Sequence, residues 1–344
     1  MNALSMTDLR LLNPTPSELV LWGLSDPVRV FVKNEPTKVS KIGQRERIIN
    51  SVSIIQIIIQ MYLFKDVDAG KKENWYNGPG SVGIGFTDDM AKLMINSIKR
   101  EFERSSLNLP TELVCTDIKS MDYSQSADII ELSAYQKIVT NNMQHTMYAK
   151  MLSINVFCLA HPLYVLSDGR MYSQLRPGGR RSGELDTSEG NTIAKASLNV
   201  LCAFSAGKVE LDPFRAPVQR VQGDDGIHQP FCSDAYYKDF HSEFGMVVTG
   251  FTRGTPQDFT FCSQRWVNGG CVPLNIVKQL YNLLSNPVYD FDLLRQYIED
   301  HSNDPSLPDQ LKLIKDCWPG CPAIDYTTVE TSLDPGLFSQ YDLN

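Results

Sequence analysis

The chain has no hydrophobic run long enough to cross a bilayer. Its longest, Val52–Phe64 (VSIIQIIIQMYLF), has 13 residues and includes two glutamines, against the roughly 20 apolar residues that a spanning helix needs. A buried helix, or a strand leading into one, suits that run better, and peripheral attachment to a membrane stays open. Histidine is scarce, and His145, His161, His228, His241 and His301 share no metal-ligand spacing. The eight cysteines form no dense framework, and no N-terminal apolar stretch reads as a secretion signal. Together these point to a reducing, intracellular compartment. Cys317 and Cys321 have no third cysteine or histidine near them, so packing and turn formation account for them better than zinc does. Glycine (22) and proline (19) are near ordinary usage, which excludes collagen-like and low-complexity chains. No internal repeat is visible.

Charge of one sign is missing from most of the chain. The first 289 residues hold 29 acidic and 29 basic side chains, so the net charge of -8 belongs to Asp290–Asn344, where 11 acidic residues outweigh 3 basic ones. A uniformly acidic protein would be a poor partner for nucleic acid, but this balance is local. Between Val28 and Asn50 six Lys or Arg stand against two Glu, a basic field able to meet phosphate. A solvated surface is the plainer reading of that stretch taken alone. With 344 residues, 42% of them hydrophobic, the chain can build a large core or two or three lobes of about 100–150 residues.

Pro14, Pro16 and Pro27 break any long helix at the start. Val28–Val32 reads as a strand, Gly70–Gly85 as a loop, and Asp88–Phe102 as a helix with Met90, Leu93, Met94, Ile98 and Phe102 on one face. Leu113–Ile118 is a short strand, and Ser126–Ala160 is largely helical. Leu163–Leu166 and Met171–Leu175 form a hairpin about Ser-Asp-Gly-Arg. Thr187–Phe204 is a helix, Pro217–Gln222 and Ile227–Gln229 flank a tight turn, and Asp234–Phe244 is helical before a strand at Met246–Thr249. A further hairpin falls at Phe259–Val267, and helices fill most of the rest up to Pro319. The pattern is α+β, a small antiparallel sheet with long helices between its strands.

Carboxylates mark the ends of these strands. Asp117 closes one and is followed by Asp122; Asp224 and Asp225 sit in a turn flanked by Gly223 and Gly226. Two such strands side by side can hold two divalent ions about 4 Å apart, and hard oxygen donors suit Mg²⁺ bridged to phosphates. Taken alone, Gly-Asp-Asp-Gly is also a sound structural hairpin. Between the two sites, Ser182-Gly183 precede Thr187 and Asn191, which lie one helical turn apart. Beside a carboxylate, such hydroxyl and amide groups could read a ribose 2′-OH. The plainer alternative has Thr187 capping the helix and Asn191 facing solvent.

In order and spacing these segments resemble the viral RNA-dependent RNA polymerases of positive-strand RNA viruses. Asp117-Ile-Lys-Ser-Met-Asp122 matches the first palm motif, Ser182, Gly183, Thr187 and Asn191 the second, and Gly223-Asp224-Asp225 the third. Val32-Lys33-Asn-Glu-Pro, then Lys38, Lys41, Arg45 and Arg47, match the basic fingers motif. The resemblance spans about residues 28–265 and is greatest to the sobemovirus, polerovirus and barnavirus branch. It implies a right hand, with fingers at 1–112 (basic motif 28–50), palm at 113–135 and 181–265, a fingers insertion at 136–180, and thumb with the acidic segment at 266–344. The basic motif starts only about 30 residues in, so the implied polymerase is compact or shortened at its N-terminus.

By that resemblance Asp117 and Asp224 hold two Mg²⁺ (or Mn²⁺), with Asp225 beside them. Asp122 and Asn191 select ribose with support from Ser182 and Thr187. Arg47 lies against the incoming triphosphate, and Lys33, Lys38, Lys41 and Arg45 line the way in. Arg253, in a Gly250–Gly254 turn, is the candidate general acid, with Lys238 the alternative; Phe261–Arg265 resembles the primer grip. The implied partners are template and nascent RNA, ribonucleoside triphosphates, other replicase proteins and a genome-linked protein primer, in membrane-associated complexes of the host cytoplasm. Two readings compete with RNA synthesis: a non-catalytic RNA-binding or assembly subunit that keeps the palm, and reverse transcription. The Asp122/Asn191 pair argues against the second. Trp75 and Tyr76, beside Lys71 and Lys72, could stack on template or anchor a loop.

Overall fold

In the computed structural model, which describes residues 6–33, 47–105, 107–144, 146–209, 216–267, 269–286 and 290–318, short strands alternate with longer helices. The prolines keep the first helices short. These are α1 (Met6–Leu12) and α2 (Pro16–Leu21), the latter opened by a Thr15–Glu18 capping box with Pro16 in its first turn. Strands β1 (Val28–Val32) and β2 (Ile48–Ser51) lead to α3 (Ile54–Glu73) and α4 (Asp88–Arg104). After β3 (Leu113–Lys119) come α5 (Met121–Ser124), α6 (Ala127–Thr140) and α7 (Met147–Ala160). The hairpin β4 (Leu163–Val165) and β5 (Met171–Ser173) precedes α8 (Thr187–Ser205). Then follow β6 (Gln219–Gln222), β7 (Asp225–His228), α9 (Asp234–Glu243) and β8 (Val247–Gly254). The described chain ends with β9 (Asp258–Phe261), β10 (Gln264–Val267), β11 (Gly270–Pro273), α10 (Ile276–Leu284), α11 (Phe291–Asp300) and α12 (Leu307–Cys317).

The strands form three sheets, in the orders β2-β1-β4-β5, β6-β7-β3-β8 and β11-β10-β9. The sheet that carries the carboxylates, β6-β7-β3-β8, is antiparallel throughout. Alternation gives each strand two faces, and both are covered. Leu113, Cys115 and Ile227 meet Ala91, Met94, Ile95 and Ile98 of α4 together with Phe259, Phe261 and Trp266 of the neighbouring sheet. On the other face Ile118 packs on Ala194 and Leu198 of α8, while Val248 packs on Tyr237 of α9. Helix α4 forms where expected, capped by Thr87 and with Asp88 and Asp89 in its first turn. It is tied to β6 by buried Arg220, whose guanidinium forks onto Glu101 at 2.6 and 2.9 Å. Helices α10–α12 close on their own core of Leu283, Leu294, Tyr297, Leu311, Ile314 and Trp318.

Four expectations change. Val52–Phe64 does form a helix, but one only partly buried: Ile54, Ile55, Ile58, Met61 and Tyr62 face solvent, while Gln56, Gln60, Leu63 and Phe64 are buried. Of the two inward glutamines, Gln60 answers polar backbone: its Oε1 accepts from Leu185 N at 2.8 Å. The loop at Gly70–Gly85 begins later, because α3 runs on to Glu73 and a 3₁₀ turn takes Trp75–Asn77; Trp75 is buried in the core as an anchor. Ser126–Ala160 is two helices, parted between Thr140 and Met147. Gly250–Gly254 is no turn but the end of β8, with Gly250 at φ +78° where the register slips between Thr116 and Asp117. A left-handed glycine that takes up an extra residue is a β-bulge.

Trp266, fully buried and stacked on Phe259 with ring centroids 6.0 Å apart, should be among the costliest side chains to truncate. Trp266→Ala is expected to lose about 3–5 kcal/mol in urea unfolding. Ile55→Ala, on the outer side of α3, should lose no more than about 0.5 kcal/mol.

Candidate active site

The two strands that end in aspartate lie side by side. Asp117 of β3 and Asp225 of β7 are direct partners across the ladder. Gln222 and Asp225 pair across the hairpin, leaving Gly223 and Asp224 as its two-residue loop. Gly223 has φ +64°, the left-handed backbone that the first position of a primed turn requires. Three carboxylates are thereby held at one end of the sheet. The bulge at Gly250 sets Thr249 opposite Asp117, and the Thr249 hydroxyl donates to Asp117 Oδ2 at 3.1 Å.

Helix α8 grips this turn from the far side of the sheet. Thr192 Oγ1 accepts from Gly223 N at 2.9 Å. The fully buried Lys195 donates to Thr116 O at 2.9 Å and to Asp224 O. Its stem fills the space beside Gly226, where a Cβ would come within 2.8–2.9 Å of the lysine's end. Lys195 follows Thr187 and Asn191 by successive helical turns, and that spacing was the available signal for it. Burial pulls its ammonium down to about 8, against Asp225, Asp224 and Asp117, which favour the charged form. Desolvation, then Asp224 and Asp117, lift the Asp225 carboxyl to about 6, with Lys195 opposing. Desolvation and then Asp117 likewise raise Asp224.

A cleft of about 1290 Å³ opens over this turn. Its lining includes Asp224 and Asp225 on one side, Asp122, Ser182, Thr187 and Asn191 on another, and Lys33 and Arg47 from the β1–β2 sheet. Lys33 and Arg47 are neighbours there, with Lys33 N donating to Arg47 O at 2.7 Å. Asp117 and Gly183 are not lining residues. Asp117 stands across the ladder from Asp225, and Gly183 lies so close to β2 that a Cβ would fall 2.2 Å from Asn50 O. Next to it, Asn50 N donates to Ser182 Oγ at 3.1 Å, so the Ser182-Gly183 step fastens the basic strand pair to the carboxylate side. Thr187 does not cap α8 through its side chain; its hydroxyl donates to Arg181 O and Glu184 O at 2.5 and 2.8 Å. Asn191 is buried, not solvent-facing, and donates to Asp122 Oδ1 at 2.6 Å.

Arg253 is not brought to the cleft. It pairs across from Val114, three residues along β3 from Asp117, and its guanidinium bonds Asp234 Oδ1 at 2.5 Å and reaches Glu112 at 3.5 Å. Because the expected turn is strand and bulge, Arg253 is spent on a surface ion-pair cluster. Lys238 lies over the Phe251 ring, 4.8 Å from its centre. His228 is buried and stacked on Tyr237, and burial pushes it down to about 3. From the hairpin expected at Phe261–Arg265, Cys262 and Ser263 do reach the cleft, both with left-handed backbone (φ +53° and +58°). Lys38, Lys41, Arg45 and Cys321 lie outside the described residues.

The carboxylate oxygens are donors of the hard kind that Mg²⁺ or Mn²⁺ takes. Among the described residues, no three His, Cys, Asp or Glu side chains gather closely enough to hold a metal ion by themselves. An ion here would complete its shell from water or phosphate, as Mg²⁺ commonly does.

No family model matches the chain. It is 30% identical over 298 residues to protein P2-P3 of Poinsettia latent virus, covering 83% of this chain and 25% of that protein. It is 26% identical over 280 residues to an RNA-directed RNA polymerase of Mushroom bacilliform virus, 79% of this chain and 63% of that one. With the replicase polyprotein P2AB of Southern bean mosaic virus it shares 26% over 304 residues, 87% of this chain and 29% of the polyprotein. It thus spans a quarter to under two thirds of each relative's length. The class these relatives define is that of viral replicase proteins. Within it, the relatives come from the sobemovirus, polerovirus and barnavirus branch of positive-strand RNA viruses, and this chain is a diverged homologue most similar to that branch.

Two measurements follow from the carboxylate geometry. Asp225, raised above the ordinary carboxylate range, contributes stability that is present below that range and is lost as pH rises through about 6. A cation that binds the ionised pair offsets the loss, so the upward shift in melting temperature given by Mn²⁺ should be larger at pH 7.5 than at pH 5.5. Asp225→Asn should flatten that dependence. Lys195→Met leaves the Thr116 and Asp224 carbonyls without their ammonium and the carboxylates unopposed, and should cost about 3 kcal/mol in urea unfolding at pH 7.5.

Proposed function

We propose that this chain is the RNA-directed RNA polymerase of its virus, joining ribonucleoside triphosphates to an RNA 3′-hydroxyl on an RNA template. The observation that carries the reading is the facing of Asp117 and Asp225 across one ladder, with Asp224 at the hairpin tip, beside a cleft lined by Asp224 and Asp225 together with Asp122, Asn191, Lys33 and Arg47. On this reading β6-β7-β3-β8 is the palm sheet, the chain before β3 and the 136–180 segment are fingers, and 266–344 is the thumb.

Asp117 and Asp224 would hold two divalent ions, Mg²⁺ or Mn²⁺, with Asp225 beside them; bound there, the ions would lower the pKa of the 3′-hydroxyl and neutralise charge on the leaving pyrophosphate. Thr249, by donating to Asp117 Oδ2, restrains the carboxylate that would help hold the ions. Lys33 and Arg47 place cations along the cleft where the triphosphate would lie, an electrostatic contribution that grows as charge moves toward the leaving group. Asp122, with one oxygen taken by Asn191, keeps the other to accept a hydrogen bond from a ribose 2′-hydroxyl, which a deoxyribose cannot return. The partners proposed are template and product RNA, nucleotides, other replicase proteins and a genome-linked primer, in membrane-associated complexes of the host cytoplasm. Among the described residues no helix is long and apolar enough to cross a membrane.

Primer extension on a short RNA template tests the reading. The full chain should incorporate ribonucleotides only with Mg²⁺ or Mn²⁺, and prefer them to deoxyribonucleotides. Asp224→Asn should lose about 10²–10³-fold in rate with RNA affinity little changed. Normal synthesis by Asp224→Asn would overturn the reading. RNA binding without synthesis under either metal would transfer it to a non-catalytic assembly subunit.

A further inference from the structure

Behind Asp122 and Asn191 runs a chain of buried polar side chains that the reaction above leaves unused. Gln125 Nε2 donates to Asn191 Oδ1, and Asn191 Nδ2 donates to Asp122 Oδ1. Arg180 Nε donates to Gln125 Oε1 at 3.4 Å, while its two terminal nitrogens donate to Asp186 Oδ2 at 3.1 Å and Ser133 Oγ at 2.8 Å. Asp186 in turn lies between Arg180 and Lys137. Gln125, Arg180, Asp186 and Lys137 are each at most 4% exposed.

The order of donors and acceptors along this chain is the same read from either end: the Asp122 carboxylate only accepts and the Arg180 guanidinium only donates. A carboxamide can be turned over with almost no change of shape, so its partners decide which end faces where. A guanidinium has donors only, so the oxygen of Gln125 must face Arg180 and its NH₂ must face Asn191. Asn191 then has to offer its oxygen to Gln125 and its NH₂ to Asp122. Turned the other way, Asn191 would set its oxygen against the Asp122 carboxylate, and that carboxylate would swing away or bind a proton.

The backbone is shaped around the same chain. Gly190 lies inside α8, where glycine is disfavoured relative to alanine. A Cβ there would fall 2.2 Å from the Arg180 guanidinium. Gly179 N donates to Gln125 O at 2.8 Å and Arg180 N to Asp122 O at 2.6 Å. A Cβ on Gly178 would meet Gln125 O at 2.5 Å. These contacts stitch the 178–180 loop to the Asp122–Gln125 segment.

We propose that Arg180, acting through Gln125, is a positioning residue for sugar selection: its guanidinium dictates the direction of the Asn191 amide and thereby keeps Asp122 ready to accept a ribose 2′-hydroxyl. The inference rests on the polymerase reading. Gln125→Met and Arg180→Met remove the directing partner, whereas Arg180→Lys keeps a cation that can only donate.

The test is single-nucleotide extension with CTP and dCTP, comparing kcat/KM for the two, with circular dichroism to confirm that each variant is folded. Gln125→Met and Arg180→Met should each lower the CTP/dCTP ratio by about tenfold or more, mainly through a higher KM for CTP, and Arg180→Lys should recover part of it. A fall in both substrates by the same factor, leaving the ratio at the wild-type value, would mean that the chain only supports the fold and would overturn the proposal. If Arg180→Met does not fold, the ratio for Gln125→Met decides. Wild-type protein that extends with neither nucleotide would overturn the polymerase reading and this inference together; wild-type preference for CTP that survives unchanged in the variants would overturn the inference alone.

Discussion

Two carboxylates set directly across an antiparallel ladder repel each other, and much of this molecule is arranged to keep Asp117 and Asp225 where they are. Backbone hydrogen bonds fix the register, and β7 is in turn clamped by β6 and by the hairpin at Gly223–Asp224. From beneath, the Lys195 ammonium bonds the Thr116 and Asp224 carbonyls, so a buried positive charge sits under three negative ones without neutralising any of them by direct contact. Burial first, and the repulsion that remains second, raise the pKa values of Asp224 and Asp225. A site left unneutralised in this way is suited to drawing in divalent cations.

Helix α8 serves both sides of the cleft at once. Thr187, Asn191 and Lys195 follow one another by single helical turns, and Thr192 stands beside Asn191. The first ties down the loop behind Ser182-Gly183, the second reaches Asp122, and the other two hold the hairpin turn. A rotation of this helix would move the groups beside Asp122 and the groups beneath the hairpin together. Its two sides therefore cannot drift independently. Gly183 and Gly190 contribute by being small: one admits the β2 backbone, the other the Arg180 guanidinium.

Polar groups are also turned inward on α3, whose outward isoleucines reverse the usual arrangement. Gln60 supplies an acceptor to the backbone of Leu185, in the loop that lines the cleft. Buried backbone N–H groups need partners, and Gln60 provides one here.

Much of the site was legible from local pattern. Asp117, Asp224, Gly223, Thr187 and Asn191 stood out because strand ends, a Gly-flanked turn and helical spacing are properties of neighbouring residues, and the strand and helix boundaries around them held to within a few residues. Arg253 misled because a glycine-bounded stretch reads equally as turn or bulge until its partner strand is known. Gln125, Arg180 and Thr249 carried no signal, since each acts on a residue at least 55 positions away. The sequence by itself determined the α+β pattern, the placing of carboxylates at strand ends and the branch of viral proteins that the chain most resembles. Tertiary structure alone decided that β3 and β7 pair in the register that sets Asp117 against Asp225, that Lys195 lies beneath them, and that a buried arginine orients Asn191. Those outcomes depend on burial and on hydrogen-bond partners distant in the chain, and no local propensity encodes either.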